Sequence, residues 1–313
     1  MNVETHTHTV LVHLASSVGN IILATPLLIA LNHMKFVVDL LLHADYPQTA
    51  DLLRDWSLIR EIYDGRSHNI TTLSTYDYII PAIPPFYWSR FAHLYKNTSK
   101  HIRRPLDALF YQDEQAYYLA FAHELGYPAA RRPFYRLPIA LREGCRVTAR
   151  TLIIAPGCKT GEMAAKRWPY FPQLAERFED VVIAGTADDV RRDDGAAWPL
   201  PRHARSLIDK LTLRETAELL AAAGVVVGND SGLSHMAAAV GTPTVMLFGP
   251  TPHLSLGQLP PHVKVLRTGL ECEPCWFRAR FQACAAQIHC LYRLTVETVE
   301  QELRILLGLD SAG

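Results

Sequence analysis

Residues 225–250 (VVVGNDSGLSHMAAAVGTPTVMLFGP) combine residue types that hold phosphate groups in proteins. Asp230, Ser231 and Gly232 form a turn between a predicted strand and a predicted helix. Backbone N–H groups at a helix N-terminus bind anions, and here Ser231 is the candidate N-cap while Gly232 allows close approach. His235 lies one helical turn further, on the side of Ser231. The alternative is an ordinary capped helix in which His235 is a polar lining residue.

A second stretch with anion-binding residue types is 155–169 (APGCKTGEMAAKRWP). Thr160 and Gly161 lie in a predicted loop after a strand, and Lys166 precedes a predicted helix. Hydroxyl, amide and ammonium groups together can bind a diphosphate. The glycines match neither the phosphate-loop nor the dinucleotide-binding fingerprint. The alternative is a solvated surface, which is the usual setting of a Lys-Arg pair before a helix.

Four of the six cysteines are close together in the chain. Cys272, Cys275, Cys284 and Cys290 have the spacing C-x2-C-x8-C-x5-C. Four thiolates can form a tetrahedral shell around Zn²⁺ or Fe²⁺ and thereby hold an irregular loop in place. The spacing is shorter than that of a typical zinc ribbon, and the alternative is a set of reduced cysteines that pack in the interior.

Short β-type runs alternate with helix-type runs along the whole chain, and these elements must position the polar groups. Strands are predicted at 9–14, 36–42, 58–63, 76–83, 151–155, 180–184, 225–228 and 243–248. Helices are predicted at 20–32, 86–95, 106–125, 172–178, 214–223 and 231–240. This alternation is typical of doubly wound parallel sheets.

The periodicity fades between residues 126 and 150, where proline and arginine are frequent. We therefore predict two Rossmann-like domains, 1–145 and 146–313, the second of which includes the Cys-rich segment 272–290. Two such domains that face one another would enclose a ligand cleft at the carboxyl ends of their strands.

Composition excludes several classes of protein. The 313 residues are 49% hydrophobic, enough for a large core, so a disordered chain is excluded. Lys+Arg and Asp+Glu both number 31, so no net charge favours nucleic acid. The N-terminus lacks a basic region followed by an apolar run, and nowhere do about 18 apolar residues follow one another. We expect no signal peptide, no transmembrane segment and a cytoplasmic location.

Several segments together resemble glycosyltransferase family 9, the lipopolysaccharide heptosyltransferases. The resemblance covers most of the chain and is carried by SSVGNIILATPLL, PGCKTGEMAAKRWPYFPQLAERF, VVIAGTADD, LTLRETAELLAAAGVVVGNDSGLSHMAAAVGTPTVMLFGPT and CEPCWFRARFQACAAQIHCL. It implies a GT-B fold, which consists of two Rossmann-like domains facing a central cleft. It also implies transfer of a heptose or related sugar, with inversion, from a nucleoside-diphosphate sugar, typically ADP-heptose, to a cell-envelope glycan or other acceptor.

The resemblance implies a role for individual residues. Thr160 and Lys166, with Gly161 in the same loop, would bind the diphosphate, and Lys166 would also stabilise the charge that develops on it during transfer. The phosphates and the sugar would be bound by Asp230, Ser231, Gly232 and His235. Leu211 would line the base pocket and Asp188 or Asp189 would reach the ribose, while Ser17 and Gly19 would contact substrate.

Two positions depart from the family pattern, and the first matters more. After the first strand the family usually has Gly-Asp, and that Asp is the general base; here the pair is Gly19-Asn20. The basic residue near the end of that strand is replaced by Leu14, beside His13. Since an amide cannot take the acceptor's proton, three readings are open. His13, His43 or Asp45 supplies the base; or the acceptor needs little help; or the protein is a catalytically weak nucleotide-sugar-binding partner. General-base help is worth ~10²- to 10⁴-fold in rate.

Cofactors and partners follow from the same resemblance. Catalysis would require no cofactor and no metal, so that zinc or iron at the Cys cluster would be structural. The partners would be a nucleotide-sugar donor and a glycan acceptor, without nucleic acid. The location would be the bacterial cytoplasm at the face of the inner membrane, where peripheral contact is compatible with the sequence, and no particular oligomeric state is implied.

Overall fold

The computed structural model describes residues 8–68, 75–96, 100–140, 147–158, 166–191, 197–276 and 289–309. All pairing between its strands is parallel. The chain divides into two compact units, of which the first is 1–138 with 254–259 and the second is 139–253 with 260–313. The predicted division was a single one, between residues 145 and 146, and it did not place residues 254–259 with the first unit.

The first unit contains a sheet of four described strands. They are β1 (Thr9–Ser16), β2 (Val37–Ala44), β3 (Ile59–Asp64) and β4 (Tyr78–Ala82), in the order β3-β2-β1-β4. Its described α-helices are α1 (Val18–Leu23), α2 (Thr25–His33), α3 (Pro85–Phe91), α4 (Asp107–Gln112) and α5 (Glu114–Glu124). Strand β1 pairs on both sides and is buried from its second residue onward, since five of its eight side chains are apolar.

The predicted helix at 20–32 consists of two helices that meet at Ala24. Pro26 has no backbone N–H to offer the Ile22 carbonyl, so the helical hydrogen-bond pattern cannot continue through it. The Thr25 hydroxyl donates to that carbonyl instead, at 2.7 Å. The apolar run therefore remains helical on both sides of the break.

The predicted helix at 106–125 is also divided, at Asp113, which has an extended backbone (φ −157°, ψ 97°). The Asp113 carboxylate accepts a hydrogen bond from the Ala116 amide at 2.9 Å and so caps α5. Arg132 donates to both carboxylate oxygens of Asp113, at 2.8 and 2.7 Å. As a result, Glu114 is the first residue of a helix rather than a residue in the middle of one.

The second unit contains a sheet of six described strands. They are β5 (Leu152–Ala155), β6 (Val181–Ile183), β7 (Arg205–Ser206), β8 (Val225–Asn229), β9 (Thr244–Leu247) and β10 (Val263–Leu266), in the order β10-β9-β8-β5-β6-β7. Its described α-helices are α6 (Phe171–Ala175), α7 (Leu213–Ala222), α8 (Gly232–Ala239), α9 (His289–Arg293) and α10 (Val296–Leu306). Trp168 is fully buried in the core of this unit, and its indole N–H donates to the Leu294 carbonyl at 2.7 Å.

The predicted class, two parallel α/β sheets, is confirmed, and each predicted strand coincides with an observed one to within a few residues. Strands β7 and β10 were not predicted, because the first has two residues and the second is a half-exposed edge strand. Among the described helices, none has the length and hydropathy that crossing a membrane requires.

Candidate functional site

A buried group of charged residues lies at the start of α8 in the second unit. Asp230 follows β8, and its carboxylate accepts from the Lys166 ammonium at 3.0 Å and pairs with His235 Nε2 at 3.2 Å. Burial by itself would raise the pKa of Asp230, but Lys166 and the His235 hydrogen bond outweigh it and hold that pKa well below its usual range. The structure thus brings Lys166 of the stretch 155–169 together with Asp230 and His235 of the stretch 225–250. We call them the Lys166–Asp230–His235 cluster.

Ser231 stands at the N-cap position of α8, yet its side chain makes no capping hydrogen bond. Its hydroxyl oxygen is buried and has no hydrogen-bond partner within the described ranges. The Thr251 hydroxyl, beyond the carboxyl end of the neighbouring strand β9, has the same property among those residues. Buried polar groups normally have partners, so two such hydroxyls near one sheet edge indicate that this edge can take a polar ligand.

Asn229 and Gly228 position this edge, although neither was among the predicted site residues. The Asn229 side chain accepts from the Trp168 amide at 2.9 Å and donates to the Pro156 carbonyl at 2.6 Å, so it links the end of β8 to the segment between β5 and α6. A Cβ atom on Gly228 would stand 2.5 Å from both the Ala155 carbonyl oxygen and the Ser234 hydroxyl. Their signal in the sequence is the GND triplet at the end of a buried strand.

The other residues of the second unit that were predicted to bind the nucleotide differ in their surroundings. Asp189 accepts from the Thr186 amide and hydroxyl at 2.7 and 2.9 Å, as a local cap, whereas Asp188 is exposed and pairs with Arg191 at 3.4 Å. Leu211 is half-buried just before α7. Thr160 and Gly161 lie outside the described residues. The assignment of these residues to a nucleotide remains a prediction.

In the first unit, Asn20 lies in the first turn of α1 at the carboxyl end of β1. Its side-chain oxygen accepts from the Ser16 and Ser17 hydroxyls, both at 2.8 Å. Its amide nitrogen donates to Glu114 Oε1, also at 2.8 Å. Ser17, Gly19 and Asn20 are half-buried, whereas Glu114 is buried. Glu114 was not among the predicted site residues.

His13 was a candidate base, but the structure gives it no exposed surface. Its ring nitrogens are within hydrogen-bond distance of the Tyr95 hydroxyl, at 2.5 Å, and of His43 Nδ1, at 2.7 Å. Burial holds the pKa of His13 well below its usual value, and the neighbouring His43 lowers it further. These contacts favour a structural role for His13. Asp45 is exposed and accepts from the Tyr87 hydroxyl at 2.6 Å.

The described cysteines of the 272–290 segment do not form a complete metal site. The Cys275 amide donates to the Pro250 carbonyl at 3.0 Å, and a Cβ on Gly249 would be 2.9 Å from Cys290 Sγ, so both cysteines lie near this turn. Nevertheless, within the ranges that the structure covers, no three His, Cys, Asp or Glu side chains are arranged to hold a metal ion. Cys284 lies outside those ranges.

Comparison with known proteins gives a family match. The sequence profile of glycosyltransferase family 9 (heptosyltransferase) matches residues 99–285, more than half of the 313-residue chain. Lipooligosaccharide heptosyltransferase 2 of Haemophilus influenzae is 39% identical over 106 residues, which cover 31% of this chain and 30% of that protein. Lipopolysaccharide heptosyltransferase 2 of Escherichia coli is 33% identical over 170 residues, 50% of this chain and 47% of that protein. The matches thus span less than half of either relative.

Solved structures extend the similarity to the whole fold. ADP-heptose lipopolysaccharide heptosyltransferase II of Escherichia coli has a TM-score of 0.68 at 23% identity and covers 97% of this chain and 100% of its own. A family 9 glycosyltransferase from Veillonella parvula has a TM-score of 0.76 at 18% identity, with coverage of 97% and 98%. The dodecameric iron-containing heptosyltransferase TibC, solved with ADP-D-β-D-heptose, has a TM-score of 0.64 at 17% identity, with coverage of 97% and 79%. At these identities the likeness establishes the fold.

Proposed function

Because the chain belongs to glycosyltransferase family 9, the heptosyltransferase family, we propose that it transfers a heptose or a related sugar from a nucleoside diphosphate, most simply ADP, to a cell-envelope glycan. The acceptor oxygen would attack the anomeric carbon as the bond to the diphosphate breaks and the electron pair leaves with the diphosphate. The two sequence relatives named above and the Escherichia coli structure are heptosyltransferases, so the alternative of a catalytically weak binding partner has no support among them.

The observation that carries this proposal is the Lys166–Asp230–His235 cluster at the N-terminus of α8. The Asp230 carboxylate fixes the side chains of Lys166 and His235, so little reorganisation is needed when a ligand binds. Negative charge increases on the diphosphate as the sugar leaves, and a nearby ammonium group and helix N-terminus stabilise that charge more than the ground state. The buried Ser231 hydroxyl would supply a further hydrogen bond to the ligand.

The same proposal assigns the other predicted residues to parts of the two substrates. Thr160 and Gly161 would bind the diphosphate with Lys166, and Gly232 would let a phosphate approach the backbone. Leu211 would line the base pocket, and of the two aspartates the exposed Asp188 is better placed for the ribose, since Asp189 caps its own turn. In the first unit, Ser17 and Gly19 would contact the acceptor. The reaction would take place at the cytoplasmic face of the inner membrane.

Incubation of the full chain with ADP-heptose and a panel of truncated lipopolysaccharide core oligosaccharides tests the function. We expect one acceptor to gain the mass of a heptose with release of ADP, as measured by mass spectrometry. ADP binding should be detectable by calorimetry in the same preparation. Binding without product on any acceptor would instead favour the nucleotide-sugar-binding partner, and failure to bind ADP would contradict both.

A structural metal at the Cys cluster is a separate proposal, supported by the spacing of the four cysteines and by the iron-containing TibC. Because the described thiols do not complete a site by themselves, Cys284 would have to contribute. We expect close to one equivalent of iron or zinc by elemental analysis, lost together with thermal stability in Cys275→Ser, since metal binding is coupled to folding of the loop. Cys145→Ser, outside the cluster, is the control. A fully stable preparation without metal would contradict the metal site and would indicate that these cysteines only pack in the interior.

A further inference from the structure

The orientation of the Asn20 amide is fixed from both ends. The Ser16 and Ser17 hydroxyls donate to its oxygen, and its nitrogen donates to Glu114 Oε1, each at 2.8 Å. A flipped amide would direct its oxygen at the Glu114 carboxylate, and two acceptors would then face one another. Position 20 therefore presents an N–H group to a carboxylate that comes from a different helix.

The environment of Glu114 suits a negative charge. Glu114 is 7% exposed and is the first residue of α5, where the backbone N–H groups of the first turn stabilise an anion. A buried carboxylate is costly unless it is hydrogen-bonded, and the Asn20 amide provides such a bond. The Tyr118 hydroxyl lies further from the same oxygen, at 3.4 Å.

The position in the sheet connects this pair to a ligand. Asn20 follows the central strand β1, and ligands of parallel α/β sheets bind outside the carboxyl ends of the strands. Ser17, Gly19 and Asn20 are half-buried there, so this edge is partly open to solvent. A substrate hydroxyl that reaches Asn20 thus comes close to the Glu114 carboxylate.

We propose that Glu114 is the base of the transfer reaction and that Asn20 is the residue that positions it; the proposal rests on the function proposed above. The acceptor O–H proton passes to the Glu114 carboxylate while the acceptor oxygen bonds to the anomeric carbon. The bond between that carbon and the diphosphate oxygen breaks, and its electron pair leaves with the nucleoside diphosphate. The amide at position 20 cannot take the proton, whereas the carboxylate that it holds can.

The primary test is Glu114→Gln, which keeps the size of the side chain and an oxygen that can accept from Asn20. We expect kcat to fall by about 10²- to 10⁴-fold, the usual worth of a general base. ADP affinity, measured by calorimetry, should be unchanged. Glu124→Gln, at the exposed end of the same helix, is the matched control and should keep full activity.

Two further variants separate catalysis from a structural role. In Asn20→Asp, two carboxylates at hydrogen-bond distance would share one proton, so the acid limb of the pH-rate profile should move to higher pH. In the exchange variant, Asn20→Asp with Glu114→Gln, the carboxylate and the amide trade places. Part of the lost kcat should return, since the new amide can donate to the new carboxylate.

Full activity of Glu114→Gln beside an active wild type would overturn this inference and leave the proposed function intact. Loss of activity in Glu114→Gln without recovery in the exchange variant and without a shifted profile in Asn20→Asp would make Glu114 structural, and so would also overturn it. No product from the wild type with any core oligosaccharide would overturn the proposed function, and this inference with it.

Discussion

At the scale of single residues, the buried Asp230 carboxylate of the second unit is compensated by its immediate neighbours. Asp230 is paired with both Lys166 and His235, so the carboxylate stays ionised although it is buried. Removal of one partner leaves the other uncompensated, which usually costs more than the pair contributes when intact. Substitutions in this cluster should therefore affect the affinity for an anionic ligand and the stability of the α8 N-terminus together.

Lys166→Ala should weaken ADP binding, because the contact proposed between Lys166 and the diphosphate is charge-assisted, and such a contact is worth about 1.5 to 3 kcal/mol. Calorimetry with the full chain measures the change in Kd. Lys264→Ala is the control, since Lys264 also pairs with a carboxylate in the second unit, that of Glu302 at 3.3 Å, but lies on β10. Equal affinity in wild type and Lys166→Ala would remove Lys166 from the donor site.

At the scale of elements, the break between α4 and α5 decides which residue begins a helix. Asp113 stops α4, caps α5 and pairs with Arg132, and it thereby places Glu114 in the first turn. The apolar pattern continues across the break, so periodicity alone indicates one helix. The capping residue rather than the apolar pattern sets the position of the carboxylate that contacts Asn20.

Asp113→Ala should lower the free energy of unfolding by about 1 to 2 kcal/mol, because α5 loses its N-cap. Chemical denaturation measures this change. Asp107→Ala is the comparison: Asp107 is in the first turn of α4 and makes an exposed ion pair with Arg104, so its loss should cost under about 1 kcal/mol. An equal effect of both substitutions would contradict a special role for the cap.

At the scale of the whole molecule, the free energy of unfolding depends on pH through histidines whose burial disfavours the protonated ring. Burial lowers the pKa of His13, whose ring contacts the Tyr95 hydroxyl, and also lowers the pKa of His43. The charges near His43 have opposite effects on its pKa, since Asp64 raises it whereas Arg90 and Arg66 lower it. Below about pH 6.5 the unfolded chain binds protons that the folded chain does not, so stability decreases as pH falls. The depressed pKa of Asp230 acts in the same direction, but only below about pH 4.

Thermal unfolding at pH 7.5 and 5.5 should therefore show a marked drop in Tm for the wild type. The free energy of unfolding should decrease by up to about 1.4 kcal/mol per pH unit for the fully buried His13. His13→Gln should have a smaller drop between the same two pH values, although it starts from a lower Tm. His101→Gln, at an exposed histidine, should keep the drop of the wild type. A wild-type Tm that does not change over this interval would contradict the neutral buried state of His13.

The sequence by itself determined the parallel α/β class and most strand positions, and it predicts an anion site at the turn before α8, because all of these follow from local periodicity and turn chemistry. The resemblance to family 9 also marked Asn20 as an unusual residue. Only the tertiary structure decided the partners: Asn20 and Glu114 are 94 residues apart, and Lys166 and Asp230 are 64 apart. Such contacts depend on how sheets and helices pack, and no local pattern in the chain encodes that packing.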